Sequence, residues 1–282
     1  MVRLNYSQSL AIQHVSAVID RIGKTYDESA ILGYIEKLGT KTIEEFLLAD
    51  VSTMKEWVKS FPEFLRFTEF KDMYGRFFSN GSKTYLADGY NAYSFIEGLG
   101  VEVCPYCDDE YIDIIDDGDH RKRTSEVDHF FPKSKYPGLA MCFYNLVPCG
   151  HTCNGLKLEK DLGSSPYEIN IEDETFLSPD LPIGVAIDKV EPESCVIRFH
   201  PQNGMKTNVE TLYLEQRYER HAGEVHRLLL NLQLYSPEKI DELANMGFGS
   251  REQIISNIFA PQDPLEKKKA LRQKMVRDLT GY

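Results

Sequence analysis

No apolar run in this sequence approaches the length that crosses a bilayer. The opening residues, Met1-Val2-Arg3-Leu4-Asn5-Tyr6, lack the apolar core of a signal peptide, so a cytoplasmic location is expected. Positive charge is scarce: 32 Lys and Arg stand against 44 Asp and Glu, a net charge of -12. Phosphate binding draws most of its affinity from cations, so this deficit argues against strong unaided binding to nucleic acid and toward a partner. A site needs only a local basic patch, however. No internal repeat and no long low-complexity tract is present. Disulfides are not expected either, because cytosolic thiols are kept reduced.

What is present is helical spacing at both ends and a different texture in the middle. Ser7 or Ser9 can cap a first helix carrying Leu10, Ile12, Val15, Val18, Ile19 and Ile22, with Gly23 ending it. Further helices are predicted after Asp27, near Thr42 with Glu45 at capping-box spacing, near Ser52, and from Asp88 to Leu99. The run Phe61, Phe64, Phe67, Phe70, Tyr74, Phe77 and Phe78 makes one helix face, either core packing or a stacking platform for bases. Ser79-Asn80-Gly81-Ser82 is a turn.

Beyond residue 160, Gly184 to Val190 and Cys195 to Phe199 read as a short hairpin. A long helical pattern starts at Asn208, and others open at Ser236 and Ser250. A last helix after Pro264 carries Lys267, Lys268, Lys269, Arg272, Lys274 and Arg277, a solvated face or a contact for phosphate or a partner. The expected organisation is a helical region over 1–100, a cysteine-framed core over 101–165, and a hairpin followed by helices over 166–282, an α+β chain. The helical flanks are long enough to bury a partner or a second copy, and no heptad seam specifies either.

Four of the six cysteines fall in close pairs, Cys104-Pro105-Tyr106-Cys107 and Cys149-Gly150-His151-Thr152-Cys153. Two pairs of thiolates suit a tetrahedral soft ion, structural Zn²⁺, with His151 as an alternative to Cys149 or Cys153. Cys142 and Cys195 sit in apolar company and read as buried small hydrophobes. Between the pairs, Tyr111 to Ile115 and Thr124 to Phe130 read as a hairpin across the turn Asp116-Asp117-Gly118-Asp119, with the acidic cluster from Asp108 to Asp119 on a solvated surface.

The returning strand ends in Asp128-His129, which has the parts for hydrolysis: an imidazole to take a proton from water and a carboxylate to hold a cation. Cys153-Asn154-Gly155-Leu156-Lys157 looks like a helix start, in which Asn154 offers a neutral oxygen to a hard cation such as Mg²⁺ and Lys157 can approach phosphate.

Asp128-His129, Asn145-Leu146-Val147-Pro148 and Cys153-Asn154-Gly155-Leu156-Lys157, framed by cysteine pairs, together resemble the HNH nucleases and their ββα-metal fold. The resemblance covers roughly residues 102–160. It implies that Asp128 and Asn154 bind a catalytic Mg²⁺ or Mn²⁺, that His129 is the general base, and that Asn145 braces the loop and the histidine. Many relatives carry histidine where Asn154 stands. The arrangement of a helical N-terminal region, this core and a helical tail also resembles, more faintly, nuclease subunits of bacterial anti-phage systems of the Septu type and its retron-linked relatives, which implies an ATPase as partner; DNA is the expected substrate. The competing expectation is a zinc-stabilised nucleic-acid-binding or assembly module that no longer cuts.

Overall fold

Polar caps and apolar stripes build the N-terminal helices. The computed structural model describes residues 2–79, 85–118, 120–168, 170–171, 173–261 and 269–282. Ser7, rather than Ser9, caps α1 (Gln8–Thr25), which runs on past Gly23. Asp27 caps α2 (Glu28–Ile35), Thr42 caps α3 (Ile43–Leu47), and Asp50, rather than Ser52, caps α4 (Val51–Ser60). After Pro62, α5 (Glu69–Met73) continues into a π turn over Tyr74–Phe78. Asn91 then caps α6 (Ala92–Leu99), which leads to the first cysteine pair.

Four residues of the aromatic run face inward. Phe67, Phe70, Tyr74 and Phe78 are buried, with Phe67 stacked on Tyr34 and Phe46 on Trp57. Core packing accounts for these four, while Phe64 and Phe77 are half-buried and Phe61 is exposed.

Among the described residues three two-stranded antiparallel sheets follow: β1 (Ile114–Asp116) with β2 (Arg121–Arg123), β3 (Ser125–His129) with β4 (Leu146–Gly150), and β5 (Thr175–Asp180) with β6 (Val196–Pro201). The hairpin expected between Tyr111–Ile115 and Thr124–Phe130 is split, because Ser125–His129 turns away to β4. The reason lies in burial. Four of the five residues of β3 and all five of β4 are buried, so β3 needs an apolar partner, whereas β1 and β2 are largely exposed. Helix α7 (His151–Lys157) leaves β4 directly and packs on both strands.

Gly184–Val190 is not a strand. Gly184 has φ +78° and Ile187–Lys189 is a 3-10 turn, so Thr175–Asp180 pairs with β6 instead. The long C-terminal helix is also broken, with Tyr213 in the left-handed region between α8 (Met205–Thr211) and α9 (Leu214–Tyr218). Then come α10 (Ala222–Leu234), α11 (Pro237–Asn245) capped by Ser236, α12 (Arg251–Ile258) capped by Ser250, and a C-terminal helix, Gln273–Thr280. With about 53% helix and small antiparallel sheets, the chain is α+β.

Residues 80–82 of the expected turn, Asp119, Lys267 and Lys268 lie outside the described residues. In the described part of the basic tail, Lys269 and Arg277 are exposed as a solvated face would have them, and the other two cations are not. Arg272 pairs with Asp109 and Glu224, and the buried Lys274 pairs with Asp278. Asp108 and Asp109 are correspondingly buried rather than solvated: the Asp108 carboxylate accepts the Lys274 N–H, and Asp109 meets Arg220, His221 and Arg272. Cys142 and Cys195 are buried among apolar side chains.

Residues of the N-terminal, central and C-terminal regions share one apolar cluster. His14 joins the first two. It is fully buried, its Nε2–H donates to the Met141 carbonyl at 2.8 Å, and Nδ1 meets the Tyr90 hydroxyl at 3.2 Å. Burial pushes its pKa down to about 4. The folded chain thus resists protonating a side chain that the unfolded chain protonates near pH 6.5. Its contribution is whole above that pH and is lost as the pH falls toward 4. Urea unfolding should show the stability gap between wild type and His14→Gln narrowing over that window, by up to about 3 kcal/mol. A gap that is independent of pH would contradict the assignment.

Candidate active site

The first cysteine pair forms a knuckle closed by Asp108 N–H on the Cys104 carbonyl at 2.8 Å and Cys104 N–H on the Glu110 carbonyl at 2.8 Å. Asp108 takes φ +56° to make the turn. Cys104, Cys107 and Cys153 are buried, and their sulfurs lie within 4.8 Å of one another. Three thiols so placed can hold a soft metal ion such as zinc. Hydrogen bonds from Cys104 and Cys153 push the Cys107 thiol well below its ordinary range, and the Arg217 guanidinium adds to the effect. Arg217 Nη1 reaches Cys153 Sγ at 3.2 Å and so sets a cation against the sulfur cluster.

Cys149 is buried on β4 beside Asp128 and Cys104, but its sulfur is outside this group of three. His151 does not replace a cysteine. It stands at the first position of α7 with its side chain 84% exposed, 3.8 Å from Glu126, while Cys153 two residues later faces inward. A helix turns about 100° per residue, so the two cannot share a face.

The other expected residues meet where α7 crosses β3. Asp128 is buried, and its carboxylate accepts the Tyr106 hydroxyl at 2.8 Å and the Lys157 ammonium at 3.1 Å. Burial raises its pKa in spite of both donors. Lys157 is itself fully buried and also donates to the His129 carbonyl at 2.7 Å. It is thus tied to Asp128 and is not free to approach phosphate, which corrects the expectation for that residue. The neighbouring Leu158 takes φ +49° and ends the helix.

His129 is 3% exposed, and its Nε2 lies 3.1 Å from the Ala140 carbonyl. A carbonyl only accepts, so this contact assigns the proton to Nε2 and leaves Nδ1 as the basic nitrogen. Burial holds its pKa well below the ordinary imidazole value. The Tyr74 ring packs edge-on against it at 4.4 Å, and the Tyr74 hydroxyl donates to the Val127 carbonyl at 2.9 Å. Asn145 makes the contacts of a brace. Its amide donates to the carbonyls of Phe131 and Leu139, and its oxygen accepts from Phe131 N–H. It therefore fixes the loop whose Ala140 carbonyl orients His129.

Asp128, His129 and Asn154 line one cleft of about 560 Å³. Lys71, Tyr74, Ser79, Arg123, Glu126 and Lys133 share it. Lys71 and Arg123 carry no motif that would single them out in the sequence. Lys133 follows the Asp-His strand by four residues, and Tyr106 sits inside the first cysteine pair, so adjacency to those motifs is the available clue. Arg217 is remote in sequence and visible only in the fold.

Removing the Lys157 ammonium leaves Asp128 buried without its counter-charge. Lys157→Met should cost about 3–5 kcal/mol in chemical denaturation. Adding Asp128→Asn should recover much of that loss, and a fully stable Lys157→Met protein would refute the pairing. Beyond the chain itself, no family model, curated protein or solved structure matches this protein.

Proposed function

We propose that this protein is a metal-dependent endonuclease of the HNH kind that hydrolyses phosphodiester bonds in DNA. The observation that carries this reading is the meeting of Asp128, His129 and Asn154 on a single cleft. Support also comes from the order strand, strand, helix over Ser125–His129, Leu146–Gly150 and His151–Lys157, the order that the resemblance implies.

In this reading Cys104, Cys107 and Cys153, with Cys149 as fourth thiolate, hold a structural zinc ion. A site of four thiolates keeps no open position, so the zinc acts as scaffold. Asp128 and Asn154 present hard oxygens suited to Mg²⁺ or Mn²⁺. A carboxylate accepts about four hydrogen bonds, so Tyr106 and Lys157 leave Asp128 with capacity to spare. A divalent cation held there supplies polarisation of the phosphate and stabilisation of the leaving 3′ oxygen. His129 takes the proton of the attacking water on Nδ1. The Ala140 carbonyl keeps the imidazole in the required tautomer, and Asn145 acts as a positioning residue for that loop.

The acidity of the chain and the exposed Met246 and Phe248 favour action within a complex, with an ATPase of an anti-phage system as the partner to look for among copurifying proteins. A catalytically silent binding or assembly module is the second reading. Two observations favour it: the neutralisation of Asp128 by Lys157, and the low exposure of His129.

Plasmid incubated with purified protein, any copurifying partner and Mg²⁺ or Mn²⁺ separates the two. His129→Ala should lower cleavage by about a hundred- to ten-thousand-fold with metal content unchanged and a cooperative thermal transition retained. Full activity of that variant would remove His129 from the mechanism, and wild-type inactivity would favour the binding module. Elemental analysis should find zinc in the purified protein, and stripping it with a chelator should unfold the core. A zinc-free protein that is equally stable would contradict the scaffold role.

A further inference from the structure

Three cations of the cleft stand apart from the proposed catalytic group. Lys71 comes from α5, Arg123 ends β2, and Lys133 follows β3, so three separate elements deliver positive charge to one place. Other cations near the site are paired, as Lys157 is with Asp128 and Arg121 with Glu97 and Asp116. Lys71, Arg123 and Lys133 make no ion pair with any described carboxylate.

Lys71 is exposed, whereas Arg123 and Lys133 are half-buried in surroundings unusual for solvated cations. Lys133 Nζ lies 4.9 Å from the centre of the Tyr74 ring. Burial pushes its pKa down; the Asp128 and Glu126 carboxylates oppose this, and the nearby ammoniums of Lys71 and Lys157 add to it. Arg123 donates one long bond, 3.4 Å, from Nη2 to the Ser79 carbonyl, while its Nη1 is buried with no acceptor. A guanidinium nitrogen left without an acceptor costs free energy that an anionic oxygen would recover. Against these cations the lining sets Glu126 and Glu159, and Asp128 is already balanced by Lys157.

We propose that Lys71, Arg123 and Lys133 form a phosphate-binding wall that seats the phosphodiester backbone of a nucleic acid strand in the His129 cleft. The proposal rests on the nuclease reading for its choice of ligand. Arg123 takes non-bridging oxygens with its fork of donors, and the two lysines act as point charges on the neighbouring phosphates. None of the three reads base identity, so the wall gives position and affinity without sequence preference.

The test is binding in a His129→Ala background without divalent cation, so that cleavage plays no part. Fluorescence anisotropy of a short labelled DNA duplex, and of an RNA of the same sequence, is followed against salt concentration. The cleft variant is Lys71→Ala/Arg123→Ala/Lys133→Ala. The charge-matched control is Lys24→Ala/Lys239→Ala/Arg251→Ala, three exposed cations elsewhere on the surface. The cleft variant should bind at least about tenfold more weakly than the control, with a log-log salt slope shallower by about 2 to 3, as expected when three phosphates are no longer neutralised.

Should the triple variant lose its thermal transition, Lys71→Ala/Lys133→Ala is read instead, with a slope shallower by about 2. Cleft and control variants that bind alike overturn the wall, as does a parent that binds neither nucleic acid. Preference for one probe over the other identifies the strand as DNA or RNA. If the parent binds through the wall but the wild-type protein, with Mg²⁺ or Mn²⁺ and any copurifying partner, never cuts plasmid, the nuclease reading alone is sunk. If the wild-type protein cuts but the parent binds the same without the wall, only this proposal is sunk.

Discussion

A fully buried ammonium sets the geometry of this site. Charge that far from water survives only with partners, and Lys157 has two, the Asp128 carboxylate and the His129 carbonyl. Both belong to the end of β3, so satisfying Lys157 fixes the register of α7 against that strand. Helical periodicity then does the rest. Cys153, one turn earlier on the same face, is carried to the knuckle sulfurs, and Asn154, turned about 100° from it, is carried to the cleft. One ion pair thus couples the cysteine cluster to the residues proposed for hydrolysis, with Tyr106 of the knuckle donating to the same carboxylate.

The net charge of -12 and a phosphate-binding role conflict only if charge is averaged over the surface. Much of the acidity near the knuckle is neutralised internally. Asp108 accepts Lys274 N–H, and Asp109 is held by Arg220, His221 and Arg272, so the C-terminal segment is fastened to the cysteine knuckle from which the acidic stretch begins. The cleft gathers cations from three elements beside it. Local field, rather than net charge, decides what such a cleft attracts.

Local chemistry is legible in the sequence and pairing is not. Caps at Ser7, Asp27, Thr42, Ser236 and Ser250 are written in single residues, and the structure uses each of them. The partner of Ser125–His129 is hidden because nearness in sequence favours Tyr111–Ile115, whereas burial on both faces demands Leu146–Gly150. Lys157 looks like a phosphate contact because spacing places it on the helix without saying which face is buried. Cations such as Arg123 and Lys71 carry no motif, and only the packing of α5 and β2 around the strand end brings them to His129. The acidic stretch misleads in the opposite sense, since its partners Arg220 and Arg272 lie more than a hundred residues away.

The central claim is that water attacks a phosphodiester in the His129 cleft. Plasmid incubated with the protein, any copurifying partner and Mg²⁺ or Mn²⁺ in heavy-oxygen water addresses it most directly, with product ends read by mass spectrometry. The account predicts solvent oxygen in newly formed 5′-phosphates and no such product from His129→Ala. Intact plasmid with the complete complex, or labelled ends from the variant at the wild-type rate, would contradict it.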